Sequence, residues 1–273
     1  TKIMKNYSQK TNLTFIILLI LGMACQQQSE PAVPQLENVP NEVLDQLDAL
    51  GFNSNEVKLY DGTLFIEGDI AIKMVDLKDL RQGNRLPVEE HYNTDNLVSG
   101  SPRTINVYVN MPQKYKDATD IAISRYNTES LDLTFQRVSS SSSADITITA
   151  SPWYYYFFGI LGSAGFPTAS GDPHNQILMT RAYYDGVSNI NGLATTIAHE
   201  MGHCIGFRHT DYMDRSYSCG GAADNEGDGG VGDNYIPGTP SGPDANSWML
   251  ACGNPEGDRP FTSNDQIALD YLY

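Results

Sequence analysis

The stretch Asn191–His209, NGLATTIAHEMGHCIGFRH, gathers three histidines and a glutamate at spacings that suit metal chemistry. His199 and His203 are one helical turn apart, so both imidazoles face the same point and can hold one metal ion. Glu200 lies about 100° further round the axis, beside the pair rather than beneath it. Gly206 can adopt a positive φ, end the helix and turn the chain back, so that His209 arrives as a third ligand. Three neutral imidazoles with a fourth position open form the donor set of a catalytic Zn2+ rather than a closed structural one. A carboxylate beside such a metal can work as general base, which assigns that role to Glu200. Three of the chain's five histidines fall inside the pattern, so it does not come from a histidine-rich composition.

The element that must carry these residues is legible around them. Leu193, Ile197 and Met201 recur every four residues, and Ala194, Ala198 and Ile205 widen the stripe into the buried face of an amphipathic helix. Further upstream, Asn41–Gly51 places Val43, Leu44, Leu47 and Leu50 on one helical face. Val57–Leu80 gives short strand-like runs around an Asp61-Gly62 turn, and residues 81–102, with Gly83, Pro87, Gly100 and Pro102, read as a linker. Beyond it, 104–110 alternates as a strand, 113–128 fits a helix, and 131–138 and 145–150 fit strands. The run Ser139–Ser143 between the last two reads as a flexible loop.

The extended pattern His199-Glu200-x-x-His203-x-x-Gly206-x-x-His209 resembles that of the metzincin zinc peptidases. The resemblance implies an α+β fold, a twisted mixed sheet over an active-site helix with a Met-containing turn below the metal, and Met249 in SWML supplies that methionine. HEMGHCIGFRHTD with SWML behind it is most similar to the bacterial "dual-action HEIGH" metallopeptidase group, over roughly residues 103–273. Astacin-type relatives carry a tyrosine ligand two residues after that methionine; Ala251 stands there, so no such ligand is carried over and Tyr212 is a candidate for stabilising the oxyanion. Phe65-Ile66-Glu67-Gly68-Asp69-Ile70 resembles the element of astacin prosegments whose Asp caps the zinc, with one extra residue after the Phe. On that resemblance residues 41–102 form a small α+β prosegment-like domain, removed near Arg81, Arg85 or Arg103, and 103–273 the catalytic domain; a hairpin with a Gly-Asp turn is the alternative reading.

Composition bounds the partners. The chain has 273 residues, 17 Lys+Arg and 33 Asp+Glu, for a net charge of −16, which excludes nucleic-acid binding through a general basic field. Residues 210–273 hold 11 acids against Arg215 and Arg259, so neutral or basic substrates are expected to approach more easily than acidic ones. Residues 1–24 have a basic start and an apolar run, the form of an export signal, and Met23-Ala24-Cys25 resembles a bacterial lipoprotein site, which would anchor the protein to a membrane through Cys25. A secreted form without lipid and a retained anchor are the other outcomes. Residues 25–40 read as a tether. Export favours a disulfide among Cys204, Cys219 and Cys252, with the pair left open.

Asp224–Gly229 resembles the opening of a Ca2+ loop, although its twelfth position is Tyr235; a solvated acidic loop is the alternative. The six aromatics Trp153–Phe158 line a cleft if exposed or pack on the sheet if buried, and His91 and His174 are expected to face solvent. Together these features imply an exported, monomeric zinc endopeptidase acting on protein or peptide substrates and made as a zymogen. The rival readings are a lipoprotein binding module with structural zinc and another hydrolase, such as an amidase, using the same site.

Overall fold

The carbonyl of Pro40 accepts hydrogen bonds from the amides of Val43 and Leu44, opening α1, Asn41–Leu50. The structure is a computed structural model and describes residues 33–50, 52–75, 77, 92–226, 234–240 and 242–273. The export segment, Cys25, Arg81, Arg85 and His91 lie outside the described residues. Leu47 of α1 is fully buried against Phe52, Leu59, Leu64, Ile66 and Leu77, a small core of its own. Three short strands complete this region: β1, Lys58–Tyr60; β2, Thr63–Ile66; and β3, Ile70–Lys73, paired antiparallel in that order. Asp61 and Gly62 join the first two with φ of 50° and 69°, the left-handed pair that a two-residue hairpin needs to match strand twist. Ile66 lies opposite Ile70, which leaves Glu67, Gly68 and Asp69 as the tip of the second hairpin. Alternation splits β2 between two faces: Leu64 and Ile66 enter the α1 core, while Phe65 joins Tyr154, Tyr155 and Ile160.

A strand, β4, Tyr92–Asn93, follows in the stretch that reads from sequence as a linker. Two residues are too short to show alternation, yet Tyr92 is fully buried. The main sheet then forms from β5, Arg103–Val109; α2, Gln113–Thr128, crosses to β6, Leu133–Val138, and β7, β8 and β9 span Ile146–Ala150, Gly162–Ser163 and Gln176–Met179. Its order is β6-β5-β7-β9-β8, parallel except for the antiparallel edge strand β8. The serine run, expected as a loop, contains a 3-10 turn, Ser141–Ser143, in which the Ser142 amide donates to the Ser140 hydroxyl. Strands β8 and β9 have no counterpart in the sequence reading, because Gly162–Ser163 carries no apolar alternation and Gln176–Met179 spans four residues only.

After α3, Arg181–Tyr184, comes α4, Ile190–Ile205, the helix that carries the motif. The Asn189 side chain caps it by accepting from the Asn191 amide. Leu193, Ala194, Ile197, Ala198 and Met201 are fully buried with Ile105, Val107, Ile148 and Ile177 of the sheet, and the Tyr126 hydroxyl of α2 donates to the Ala198 carbonyl at 2.7 Å. The chain ends through α5, Ser216–Cys219; β10, Asn234–Tyr235, which pairs with β4; and α6, Ser263–Leu272, opened by a Thr262/Asp265 capping box. Cys219 and Cys252 form the disulfide, and Cys204 is a buried free thiol on α4. The described residues form a mixed α+β unit from Val33 to Tyr273, and no described helix is long and apolar enough to cross a membrane.

Candidate metal centre

Helix periodicity sets the first two histidines and a glycine sets the third. His199 and His203 project from one face of α4 with their Nε2 atoms 3.0 Å apart. Gly206 ends the helix at φ 112°, a conformation that favours glycine, and an added Cβ there would also crowd Leu97 Cδ2 at 2.8 Å. Strand β4 holds the returning chain: the Thr94 amide donates to the Gly206 carbonyl at 2.8 Å and the Arg208 amide to the Tyr92 carbonyl at 2.9 Å. His209 Nε2 thereby comes to 3.2 Å from His203 Nε2.

A fourth donor enters from the hairpin tip. Asp69 Oδ2 lies 3.1 Å from His199 Nε2, 3.0 Å from His209 Nε2 and 3.7 Å from His203 Nε2. The opposite ring nitrogens are committed elsewhere. The Nδ1 atoms of His199 and His203 donate to the carbonyls of Trp248 and Phe207 at 2.7 and 2.8 Å, and that of His209 donates to Glu226 Oε1 at 2.8 Å. Each partner is an acceptor only, so the proton sits on Nδ1 and the Nε2 lone pairs converge. Lone pairs at these separations repel unless a positive charge stands among them. A tetrahedron with zinc–nitrogen bonds of about 2.0–2.1 Å has edges of about 3.3–3.4 Å, within a few tenths of the separations here, so the donor set fits zinc.

Electrostatics point the same way. Burial pushes His203 down to about 4, which keeps this imidazole neutral. Burial opposes charge on His209 too, but the Asp69 and Glu226 carboxylates outweigh it and hold the ring well above its ordinary value. Burial would raise Asp69, yet positive charge at His209 and the polar contacts with the three rings hold it well below the usual carboxylate range. The carboxylates thus favour a cation among the imidazoles.

Glu200 is 1% exposed, and its Oε2 has no hydrogen-bond partner among the described residues. Its Oε1 leans on edge strand β8, where a Cβ at Gly162 would meet it at 2.6 Å. Burial, then the nearby Asp69 charge, raises the Glu200 carboxyl well above its ordinary value. A cleft of about 300 Å³ reaches this carboxylate, lined among others by Leu161, Thr196, His199, Ala251 and Arg259. Met249 is fully buried, and its sulfur occupies the space a Cβ on Gly202 would need.

The hairpin tip is bonded by one arginine and lies close against a second. Glu67, at φ 54°, bonds the buried Arg208 at 2.9 Å, and an added Cβ on Gly68 would stand 2.6 Å from Arg215 Nη2. Arg215 also pairs with Glu226 at 3.0 Å and Asp224 at 3.2 Å. Sequence reasoning gave Glu226 to a calcium-like loop; its Oε1 instead accepts from His209, and residues 227–233 lie outside the described residues. Tyr212 is not among the cleft-lining residues, its ring packing on Tyr92 at 4.2 Å and against Arg208. His174, expected in solvent, is half-buried with its ring against Gly165 and its amide bonded to the Cys204 carbonyl. Of the aromatic run, Tyr154 and Tyr155 are buried while Trp153 and Tyr156 are exposed. Arg215 and Arg259, the two cations of the acidic 210–273 region, both line the cleft, so the acidic excess does not govern its walls.

No curated protein matches the sequence. Among the solved structures that align are two titled "Structure of Myroilysin" (14% identity, 62% of this chain and 79% of the other, TM-score 0.39) and "Crystal structure of myroilysin" (11%, 71% and 100%, TM-score 0.41). The family model described as dual-action HEIGH metallo-peptidase matches residues 64–273, taking in the hairpin as well as the motif helix. With most of its length matched by that model and its histidines set for zinc, the chain belongs to the dual-action HEIGH metallopeptidase family.

Proposed function

We propose that the protein is an exported zinc endopeptidase made as a zymogen, with His199, His203 and His209 as the zinc ligands and Glu200 as the general base. The observation that carries this reading is the convergence of three Nε2 atoms and Asp69 Oδ2 beside a buried carboxylate. Bound there, zinc supplies Lewis acidity toward a peptide carbonyl and toward water. Glu200 takes a proton from water and returns it to the departing amine, and its burial, which raises its proton affinity, suits a group that must hold a proton between those steps. Met249, beneath the helix at Gly202, serves as the methionine of a Met-turn.

Residues 41–102 act in this reading as the prosegment and 103–273 as the catalytic domain. Asp69 would take the place beside the three histidines that water needs, while Glu67, held by Arg208, keeps the hairpin tip there. Export through residues 1–24 and lipidation of Cys25 rest on the sequence alone; a mature N-terminal peptide lacking both the cut and the lipid mass would remove that part. The latency test compares casein hydrolysis by the uncut chain, the chain cut by limited trypsin, and uncut Asp69→Ala. The expected order is low, high and intermediate, with the variant at least tenfold above the uncut wild type. Equal rates for cut and uncut wild type, or an uncut Asp69→Ala as slow as the uncut wild type, would contradict it.

A further inference from the structure

The hairpin that presents Asp69 also buries a side chain that metal chemistry does not need. Phe65, on β2, is 3% exposed and sits edge-on to Tyr155 at 5.0 Å, with Phe158 at 5.5 Å and Tyr154 at 6.2 Å. Tyr60 of β1 adds a ring 4.3 Å from Tyr154. These rings form a cluster of their own, separate from the main core and from the α1 core. Its floor is the aromatic turn Trp153–Phe158 and its lid is the hairpin.

The floor is continuous with the catalytic cleft. Phe158 and Ile160 line the cleft that reaches Glu200, and Tyr154 and Tyr155 line a neighbouring cleft of about 270 Å³ with Ser163 and Ala164. The hairpin also touches the sheet edge through its backbone: Ile70 forms a single parallel bridge with Ala164, immediately after edge strand β8. Adding a strand to a sheet edge supplies backbone hydrogen bonds, while pockets beside the edge read alternate side chains. In the uncut chain, then, the hairpin meets the edge at Ile70 of β3, puts the Asp69 carboxylate on the histidines from its tip, and from the neighbouring strand β2 places the Phe65 ring, opposite Ala71, in the adjoining pocket. Rings meeting edge-to-face at these separations are a favoured geometry that an aliphatic side chain reproduces poorly.

We infer that the surface under Phe65, built from Tyr154, Tyr155 and Phe158, is a substrate subsite for an aromatic side chain at one fixed position relative to the cut bond. The inference rests on the peptidase reading and on release of the hairpin. The test uses the zinc-loaded full chain activated by limited trypsin and a set of peptides differing only by Phe or Ala at successive positions. At one position the Phe peptide should exceed the Ala peptide in kcat/KM by about tenfold or more. In Phe158→Ala and in Tyr155→Leu that ratio should fall toward one. A wild-type ratio near one at every position, or a ratio unmoved in both variants, overturns the subsite. Absence of turnover with any peptide overturns the peptidase reading itself, a result distinct from lost discrimination. As a second readout, the peptide Thr63–Lys73 should bind the activated chain at least tenfold more weakly with Phe65→Ala than with Leu64→Ala, since Leu64 faces the α1 core. Equal weakening by the two changes also overturns it.

Discussion

Glu226 orients His209 from outside the four donors. Its Oε1 accepts from Nδ1 at 2.8 Å, which fixes the tautomer and raises the basicity of the Nε2 that faces the site. Glu226→Gln should therefore lower zinc affinity by about 10–100-fold, read by competition with a metal chelator; unchanged affinity would remove the orienting role. The four motif residues were legible because a helix repeats every 3.6 residues and glycine ends it predictably. Glu226 was not, since it arrives 17 residues after His209 through a segment without periodicity. Arg208 lies inside the motif but carries no spacing signal of its own; its buried pairing with Glu67 on the hairpin tip shows what it does.

At the scale of elements, the site depends on short pieces that sequence patterns cannot resolve. Strands β5, β6 and β7 and helices α2 and α4 were expected within a residue or two, because each is long enough to alternate or to stripe. Strand β4, read as linker, is the piece that clasps the turn delivering His209, and β8, unforeseen, is the edge against which Glu200 packs. His174, between β8 and β9, gives this region a pH signature. Burial lowers its imidazole from 6.5 to about 4. As pH falls through that window the unfolded chain takes the proton first, so its contribution to stability is present above about 6.5 and is lost toward 4. The wild-type denaturation midpoint should drop more steeply across this range than that of His174→Gln; parallel curves would contradict the assignment.

Across the whole molecule, the region after His209 is tied together near the cleft by a covalent link. Cys219 of α5 and Cys252, three residues after Met249, are 33 residues apart. Which cysteines pair was not legible in the sequence, because pairing is decided by where the chain folds back rather than by spacing. Closing a loop of that size is worth about 3–4 kcal/mol in the chain-entropy account. The double variant Cys219→Ser/Cys252→Ser should lose about that much in denaturant unfolding, and a loss below about 1 kcal/mol would show that the unfolded state or native strain dominates. The charge distribution also gains detail at this scale: the region after His209 is acidic, yet its two arginines are drawn to the cleft, where substrate would lie.

The central claim is that one zinc held by His199, His203 and His209 works with Glu200 to cut peptide bonds. Zinc content and casein hydrolysis, measured together on trypsin-activated wild type, Glu200→Gln and His203→Ala, test it most directly. Wild type should carry about one zinc per chain and cleave. Glu200→Gln should keep the zinc while hydrolysis falls by about 10²–10⁴-fold, and His203→Ala should lose both. Full zinc and full hydrolysis in His203→Ala, or wild-type hydrolysis in Glu200→Gln, would contradict the account.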